Sequence, residues 1–254
     1  MTSFAPGVRA RRRTALAAVL CAGLAVTTLT GCAGDDPDAG TNGLGKLSAT
    51  EIDRKARAAA DTAAAVRLSG KLISKGGDYT LDMQLNADGG TGSVTSKDNT
   101  FALLRVGDDL YLKADAAFWA QHGEGEDSAT DGEAAAKLDD KYVKVPEDDP
   151  TYDQLRGFTE KKTLLDGLLT LHGSVNKGDR GKVTGVRTIE IMGGKGEGGA
   201  LDVSLEGSPY PLRVARGGGG GTITLADWGK AFALEAPSED DTVDYGGQLP
   251  KSSG

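Results

Sequence analysis

The residues able to make or break covalent bonds are few. Histidine occurs only at 122 and 172, and cysteine only at 21 and 32. His122 borders an acidic run. His172 closes a Leu-rich helical pattern, where an imidazole complements the partial negative charge of a helix C-terminus more readily than it serves as a base. The histidines do not stand at metal-ligand spacing, and no G-x-S-x-G elbow presents a serine nucleophile. Glu124, Glu126, Asp127 and Asp131 could offer oxygens to calcium, but they lack the regular spacing and acidic closing residue of an EF-hand loop and read as a solvated surface. "GKGEGG", 194–199, satisfies G-x-G-x-x-G, yet "ALDVSLEG" follows it as another strand where a dinucleotide site needs a helix, so it reads as a hairpin loop. "GTNGLGKL", 40–47, approaches a phosphate loop, but Leu47 replaces the hydroxyl that would hold magnesium. The inventory points away from an enzyme and calls for no cofactor or metal.

One thiol remains. Arg9, Arg11, Arg12 and Arg13 form a positive cluster with no acid before Asp35, followed by the apolar "ALAAVLCAGLAVTTLTG". This has the shape of an export signal rather than of a stable span, which needs about 20 apolar residues. "RRRTAL" leaves the twin-arginine route open beside the general one, with Ala15 where a bulky residue is expected. The run closes on "LTGC", which resembles the lipobox of bacterial lipoproteins: a Leu, two small residues that let a peptidase approach the backbone, and the cysteine that receives a diacylglyceryl group. The resemblance implies cleavage before Cys32, attachment to the membrane through that group, and residence at the outer face of the cell membrane. A structural cysteine in an ordinary signal peptide is the plainer alternative. Cys21 would be discarded with residues 1–31, so no disulfide could form within the remaining chain. Two buried acyl chains hold firmly where one is marginal, at about 0.8 kcal/mol per CH₂.

Residues 1–31 carry four Arg and no acid, so the chain from Cys32 onward holds 25 Lys and Arg against 37 acids, a net charge of −12. That balance opposes nucleic-acid binding and repels anionic headgroups, leaving anchorage to the lipid. The remaining 223 residues suit one domain with a substantial core. With 5% aromatics, that core must be built from Leu, Val, Ile and Ala. Trp119 and Trp228 taken singly read as packing residues.

The elements follow from periodicity. Residues 33–47, rich in Gly and Asp and without period, read as a flexible tether of roughly 20 to 23 Å. Ser48 three residues before Glu51 is a capping-box spacing, and a helix is expected over 49–64. "VRLSGKL" and "YTLDMQLNA" alternate apolar and polar residues as strands do. "DGG" at 88–90 and "GDD" at 107–109 turn successive antiparallel strands, the second between "TFALLRV" and "LYLKA". Residues 121–141 read as an acidic, flexible surface insertion, with room for one short helical turn at "EAAAKL". "KYVKVP" is a short strand, and Leu164, Leu165, Leu168, Leu169 and Leu171 make an apolar helical stripe stopped by Gly173. "KVTGVRTIEIMG", "ALDVSLEG", "PLRVARG" and "TITLADWGKAFALEAP" resume the strand rhythm, and 246–254 form a disordered tail. Two runs of strands with helices before and between them exclude a doubly wound parallel sheet and indicate an antiparallel α+β fold.

In that order of segments, "DDLYLKAD", "GVRTIEI", and above all "GSPYPLRV" and "DWGKAFALEAP" stand where the LolA/LppX-like lipoproteins of bacterial envelopes, including the LppX/LprG branch, have comparable features. The resemblance covers most of residues 48–237. It implies a strongly curved antiparallel sheet, an open half-barrel with helices on its concave face, and in several members a cavity there that takes acyl chains. The chain differs from that pattern in its scarcity of aromatics, its glycines and its acidic insertion. A ligand would meet the sheet face bearing Leu68, Leu81, Met83, Leu85, Leu103 and Leu112; each of these serves equally as a core residue. Two functions compete: binding or carrying lipid or lipid-linked molecules, and sensing or docking a membrane protein partner without cargo.

Overall fold

The computed structural model describes residues 37–74, 77–97, 99–122 and 128–244. Cys32, the signal segment, Glu124, Glu126, Asp127 and the tail lie outside them. In chain order the elements are α1 (Ala49–Thr62), β1 (Ala65–Ser74), β2 (Gly77–Asn86), β3 (Gly89–Ser96), β4 (Asn99–Val106), β5 (Asp109–Ala114), α2 (Ala116–His122), α3 (Ser128–Leu138), β6 (Tyr142–Val145), α4 (Pro150–Thr159), α5 (Lys161–Leu169), β7 (Val175–Val183), β8 (Val186–Gly193), β9 (Ala200–Ser204), β10 (Pro211–Ala215), β11 (Gly221–Ala226) and β12 (Thr242–Val243).

All twelve strands join one open sheet in the order β12-β6-β5-β4-β3-β2-β1-β11-β10-β9-β8-β7. It consists of two meanders, β1–β6 and β7–β11, zipped together where β1 pairs with β11, Leu68 opposite Leu225. Every pairing is antiparallel except the two-residue contact of β12 with β6, which is parallel and makes the sheet mixed. The α+β class and the open curved sheet with helices against one face are those expected.

Local sequence explains most elements. Ser48 and Glu51 form the capping box; the Ser48 hydroxyl donates to Glu51 Oε2 at 2.6 Å and the Ser48 amide at 3.0 Å, and these bonds, the hydroxyl first, hold the Glu51 carboxyl below its usual range. Ile52, Ala56 and Ala60 then lie on one buried face of α1, whose small alanines let the helix sit close to β7, β8 and β10. The helix stops at Thr62, two residues early, as Ala63 turns extended. Helix α4, not foreseen from the apolar pattern, starts on "DDP": the Asp149 carboxylate accepts the Thr151 amide at 2.7 Å and Pro150 occupies the first turn. Where β1 meets β11, Gly70 has φ 144°, and a Cβ there would lie 2.2 Å from the Thr222 carbonyl oxygen, so the seam between the two meanders demands glycine.

Three expectations are corrected. Residues 38–47 do not hang free: Asn42 donates its amide to Leu205 O at 2.8 Å and its side chain to Ser204 O and Gly207 O at 3.1 Å, while Leu44 is buried in the core. A segment with no period of its own is fastened by partners more than 130 residues away, which no local pattern reveals. The acidic insertion holds the 11-residue helix α3, whose Ala135 and Leu138 join the core. The closing strand is shorter than its alternation implied: β11 ends at Ala226, Asp227 (φ 53°) and Gly229 (φ 75°) turn the chain, and 230–238 run irregularly.

Candidate functional site

Sheet register brings the six candidate residues together. Leu68, Met83, Leu103 and Leu112 fall in one row running across the strands: Leu68 faces Met83, Met83 faces Gly92, Gly92 faces Leu103 and Leu103 faces Leu112. The row continues to Leu225 on β11 and Val143 on β6. Leu81 and Leu85 lie two residues to either side of Met83 and begin the flanking rows, with Val94 opposite Leu81. Alternation with period two puts all of them on one face, the face that the helices cover. At Gly92 the row narrows, because a Cβ would lie 2.1 Å from the Asp82 carbonyl oxygen and 2.8 Å from Met83 Sδ, so the β2 backbone and the Met83 thioether together occupy that space. The flexible thioether fills what the missing side chain leaves.

The floor is filled. Leu68, Met83, Leu85 and Leu103 are 0% exposed, Leu81 1% and Leu112 5%, all within one contiguous core with α1 to α5. A void wide enough for a water molecule would leave accessible surface on the side chains lining it, so these residues pack against protein. The hollows lie elsewhere. One of about 130 Å³ is lined by Leu168, Leu171, His172, Glu197 and Arg216. Another of about 380 Å³ lies between Asn42, Leu44, Leu47, Lys55 and Pro209, and one of about 200 Å³ between Val66, Gln84, Asp227 and Phe232. None is lined by the six.

Long cationic side chains reaching main-chain carbonyls hold the helical cover down. Arg105, buried on β4, donates Nε to Thr159 Oγ1 and Nη2 to Thr159 O, both at 3.1 Å, and Nη1 to Gly107 O. At the other end of α4 the Tyr152 hydroxyl donates to Asp108 O at 2.6 Å, and burial raises that phenol above its ordinary range. Lys161, at the start of α5, donates to Asp61 O in the last turn of α1 and to Ala63 O just beyond it, and burial lowers its ammonium. Arg57 of α1 donates to Leu169 O and Arg216 to Gly167 O. The Glu160 carboxyl, between α4 and α5, is lowered by the Thr163 hydroxyl first and by Arg156 next. Sequence reasoning passed over these groups. Arg105 could have been noticed as the one charge on the inward face of "FALLRV", where an unpaired cation must find acceptors.

The remaining candidates are placed plainly. His172 lies beyond α5, its amide donating to Gly198 O at 2.9 Å, beside the turn that follows β8. "GKGEGG" joins antiparallel β8 and β9 as a hairpin loop. Among the described residues no three His, Cys, Asp or Glu gather closely enough to hold a metal ion, and no helix is long and apolar enough to cross a membrane. Asp131 falls within α3. Trp119 is buried with Nε1 donating to Ala114 O at 3.2 Å. The two segments that carried the family resemblance meet in space: Tyr210 of "GSPYPLRV" stacks on Trp228 of "DWGKAFALEAP", centroids 4.9 Å apart and planes at 3°, and Trp228 Nε1 donates to Pro211 O at 3.0 Å.

No family model matches the chain, and neither does any curated protein. Among solved structures it is similar to the lipoprotein LppX of Mycobacterium tuberculosis, at 14% identity and a TM-score of 0.45, covering 74% of this chain and 98% of that one. LprF from Mycobacterium bovis is similar at 14% identity and a TM-score of 0.47, covering 75% and 97%. An uncharacterized conserved protein from Thermus thermophilus follows at 10% identity and a TM-score of 0.36, covering 77% and 98%. The first two are of the kind that the sequence resembles; at these scores the likeness is one of chain course and carries nothing further.

Proposed function

We propose that the protein is a non-enzymatic lipoprotein, held at the outer face of the cell membrane by a diacylglyceryl group on Cys32. Its domain binds or carries the acyl chains of a lipid or lipid-linked molecule between the sheet and its helices. The anchor rests on the "LTGC" motif. The binding reading rests on the row from Leu225 to Val143, which crosses seven strands and presents only aliphatic, thioether and glycine groups. At ~4.8 Å per strand it spans about 29 Å, close to the ~30 Å thickness of a bilayer's hydrocarbon core. Because Leu68, Leu81, Met83, Leu85, Leu103 and Leu112 are covered, entry requires α4 and α5 to part from the floor. Each methylene then seated between sheet and helices contributes about 0.8 kcal/mol. Purifying the chain from residue 33 onward and analysing co-purified lipids by mass spectrometry tests this, with a photoreactive fatty acid to map contacts. Crosslinks concentrated on 68–112 are expected; absence of lipid and scattered crosslinks would refute it.

The filled floor favours a second reading, in which the domain docks a membrane protein partner through its acidic surface and takes no cargo. Crosslinking in cells separates the two. A single stoichiometric protein partner captured with no bound lipid supports docking. Deleting 123–140 would not be a clean control, because it removes Ala135 and Leu138 from the core.

A further inference from the structure

The face of the sheet turned away from the helices carries a trough. Residues that alternate with the inward row point outward: Arg67 faces Gln84 and Gln84 faces Thr91, while in the next row Asp82 faces Ser93 and Ser93 faces Ala102. Thr91, Ser93 and Ala102 are short and the longer Arg67, Asp82 and Gln84 stand beside them, so the surface sinks into a hollow of about 410 Å³. Arg67 and Gln84 also line the hollow of about 200 Å³ that Asp227, Lys230 and Phe232 close on its other side. The two hollows share a wall. From β4 to β1 they cross three strand spacings, about 14 Å, and continue to the turn after β11.

The chemistry of this lining excludes most ligands. Its charges cancel: Arg67 donates Nε and Nη2 to the Asp82 carboxylate at 2.9 and 2.8 Å, and Lys230 Nζ lies 2.6 Å from Asp227 Oδ1. An anion or a cation therefore finds no counter-charge to spare. An acyl chain meets hydroxyl and amide groups in place of the aliphatic surface of the inward row. An extended peptide finds no open ladder, because β1 to β4 are each paired on both sides. The groups left unengaged are neutral and both donate and accept. The Gln84 side chain is half-buried, and neither its amide nor the Thr91 and Ser93 hydroxyls has a hydrogen-bond partner among the described residues. Elsewhere on the same face such groups are satisfied: the Thr95 and Thr100 hydroxyls bond each other at 2.8 Å, and Arg213 Nε donates to Asp202 at 2.7 Å. Rings bearing several hydroxyls match the open set, since each hydroxyl can donate to one group and accept from another, and neighbouring hydroxyls fit the two-atom edge of the Gln84 amide. The half-buried Phe232 ring offers an apolar surface to the C–H face of such a ring.

We infer that this outer trough, floored by Gln84, Thr91 and Ser93 and ended by Phe232, is a binding site for a neutral saccharide. It rests on neither the Cys32 anchor nor the inward row. Saturation-transfer NMR on the purified full-length protein tests it, with maltotriose, mannotriose and arabinotriose as probes and glucose 6-phosphate as the charged comparison. Protons of at least one neutral trisaccharide should receive saturation, with a dissociation constant on the order of 1 mM, as suits an open polar surface. Gln84→Ala should weaken that binding about fivefold, the loss of one hydrogen bond. Ser93→Tyr, which fills the trough, should abolish it. Both positions point outward, so thermal melts of the two variants should match the parent and exclude misfolding as the cause. Octyl glucoside distinguishes two sources of the same chemistry: saturation of its ring that Ser93→Tyr removes, with the trisaccharides silent, identifies a glycolipid headgroup, whereas trisaccharide binding identifies a glycan chain. Absence of saturation from every sugar, sugar binding that survives both substitutions, or tighter binding of glucose 6-phosphate than of any trisaccharide would overturn the inference.

Discussion

Arg105→Met tests both the packing and the proposed route into it. Methionine keeps much of the side-chain volume and removes all three hydrogen bonds. The Gly107 carbonyl lies at an exposed turn and can take water, so its loss costs little. Thr159 is fully buried, and its carbonyl has no solvent to turn to. An orphaned buried carbonyl costs about 1–3 kcal/mol, and a charge-assisted bond is worth ~1.5–3. Sparing the burial of a guanidinium offsets part of this, leaving a net loss of about 2–3 kcal/mol. With a urea m-value of roughly 2–3 kcal/mol/M, the midpoint followed by tryptophan fluorescence should fall by about 1 M. If the same bond holds α4 against the floor, the open population rises by the equivalent factor, about 30- to 150-fold, and a fluorescent fatty acid should enter correspondingly faster. A midpoint within 0.2 M of the parent would show that the Thr159 contact does not hold the cover. A lowered midpoint with unchanged uptake would show that α4 is not the way in.

Gly70→Ala should cost more than 3 kcal/mol or prevent folding, whereas Gly107→Ala, with φ 64° but open space around it, should cost about 1 kcal/mol; thermal melts of the pair separate steric collision from backbone strain. The carboxyls of Glu51, Glu160, Glu206, Asp227 and Asp241 are all lowered, chiefly by hydrogen bonds to Ser48, Thr163, Arg187, Lys230 and Ser238 respectively. Depressed carboxyls contribute fully above their unfolded values and lose that contribution as pH falls through their folded ones. Stability should therefore be level from pH 7 to about 5 and decline below about 4.5, and Ser48→Ala should cost about 1 kcal/mol at neutral pH and shrink the decline. Cys32→Ala should abolish incorporation of labelled acyl chains; labelling that persists would refute the anchor.

The legible parts were those with a local cause. The alternation in "YTLDMQLNA" placed Leu81, Met83 and Leu85 on one face, and the turns at 88–90 and 107–109 ordered the first meander. The row joining Leu68, Met83, Leu103 and Leu112 needs the register of five strands, which the alternation leaves free by any even slip. Whether space remains above that row depends on α1 to α5 fitting it, a property of volumes. The fastening of 38–47 was illegible because its order comes from Arg180, Arg187 and Ser204, and Arg105 was passed over because apolar neighbours dominate its strand. "GSPYPLRV" and "DWGKAFALEAP" were noticed separately; only the fold shows Tyr210 lying on Trp228.

The seam between β1 and β11 orders events in time as well as in space. Residue 68 must wait for residue 225, and α1 leans on β7, β8 and β10, all made more than a hundred residues after it. Contacts of such sequence separation form late and slowly. Until the second meander exists, β1 can pair only with β2, and α1 lacks the strands on which it packs, so the two halves of the domain close together in one late step.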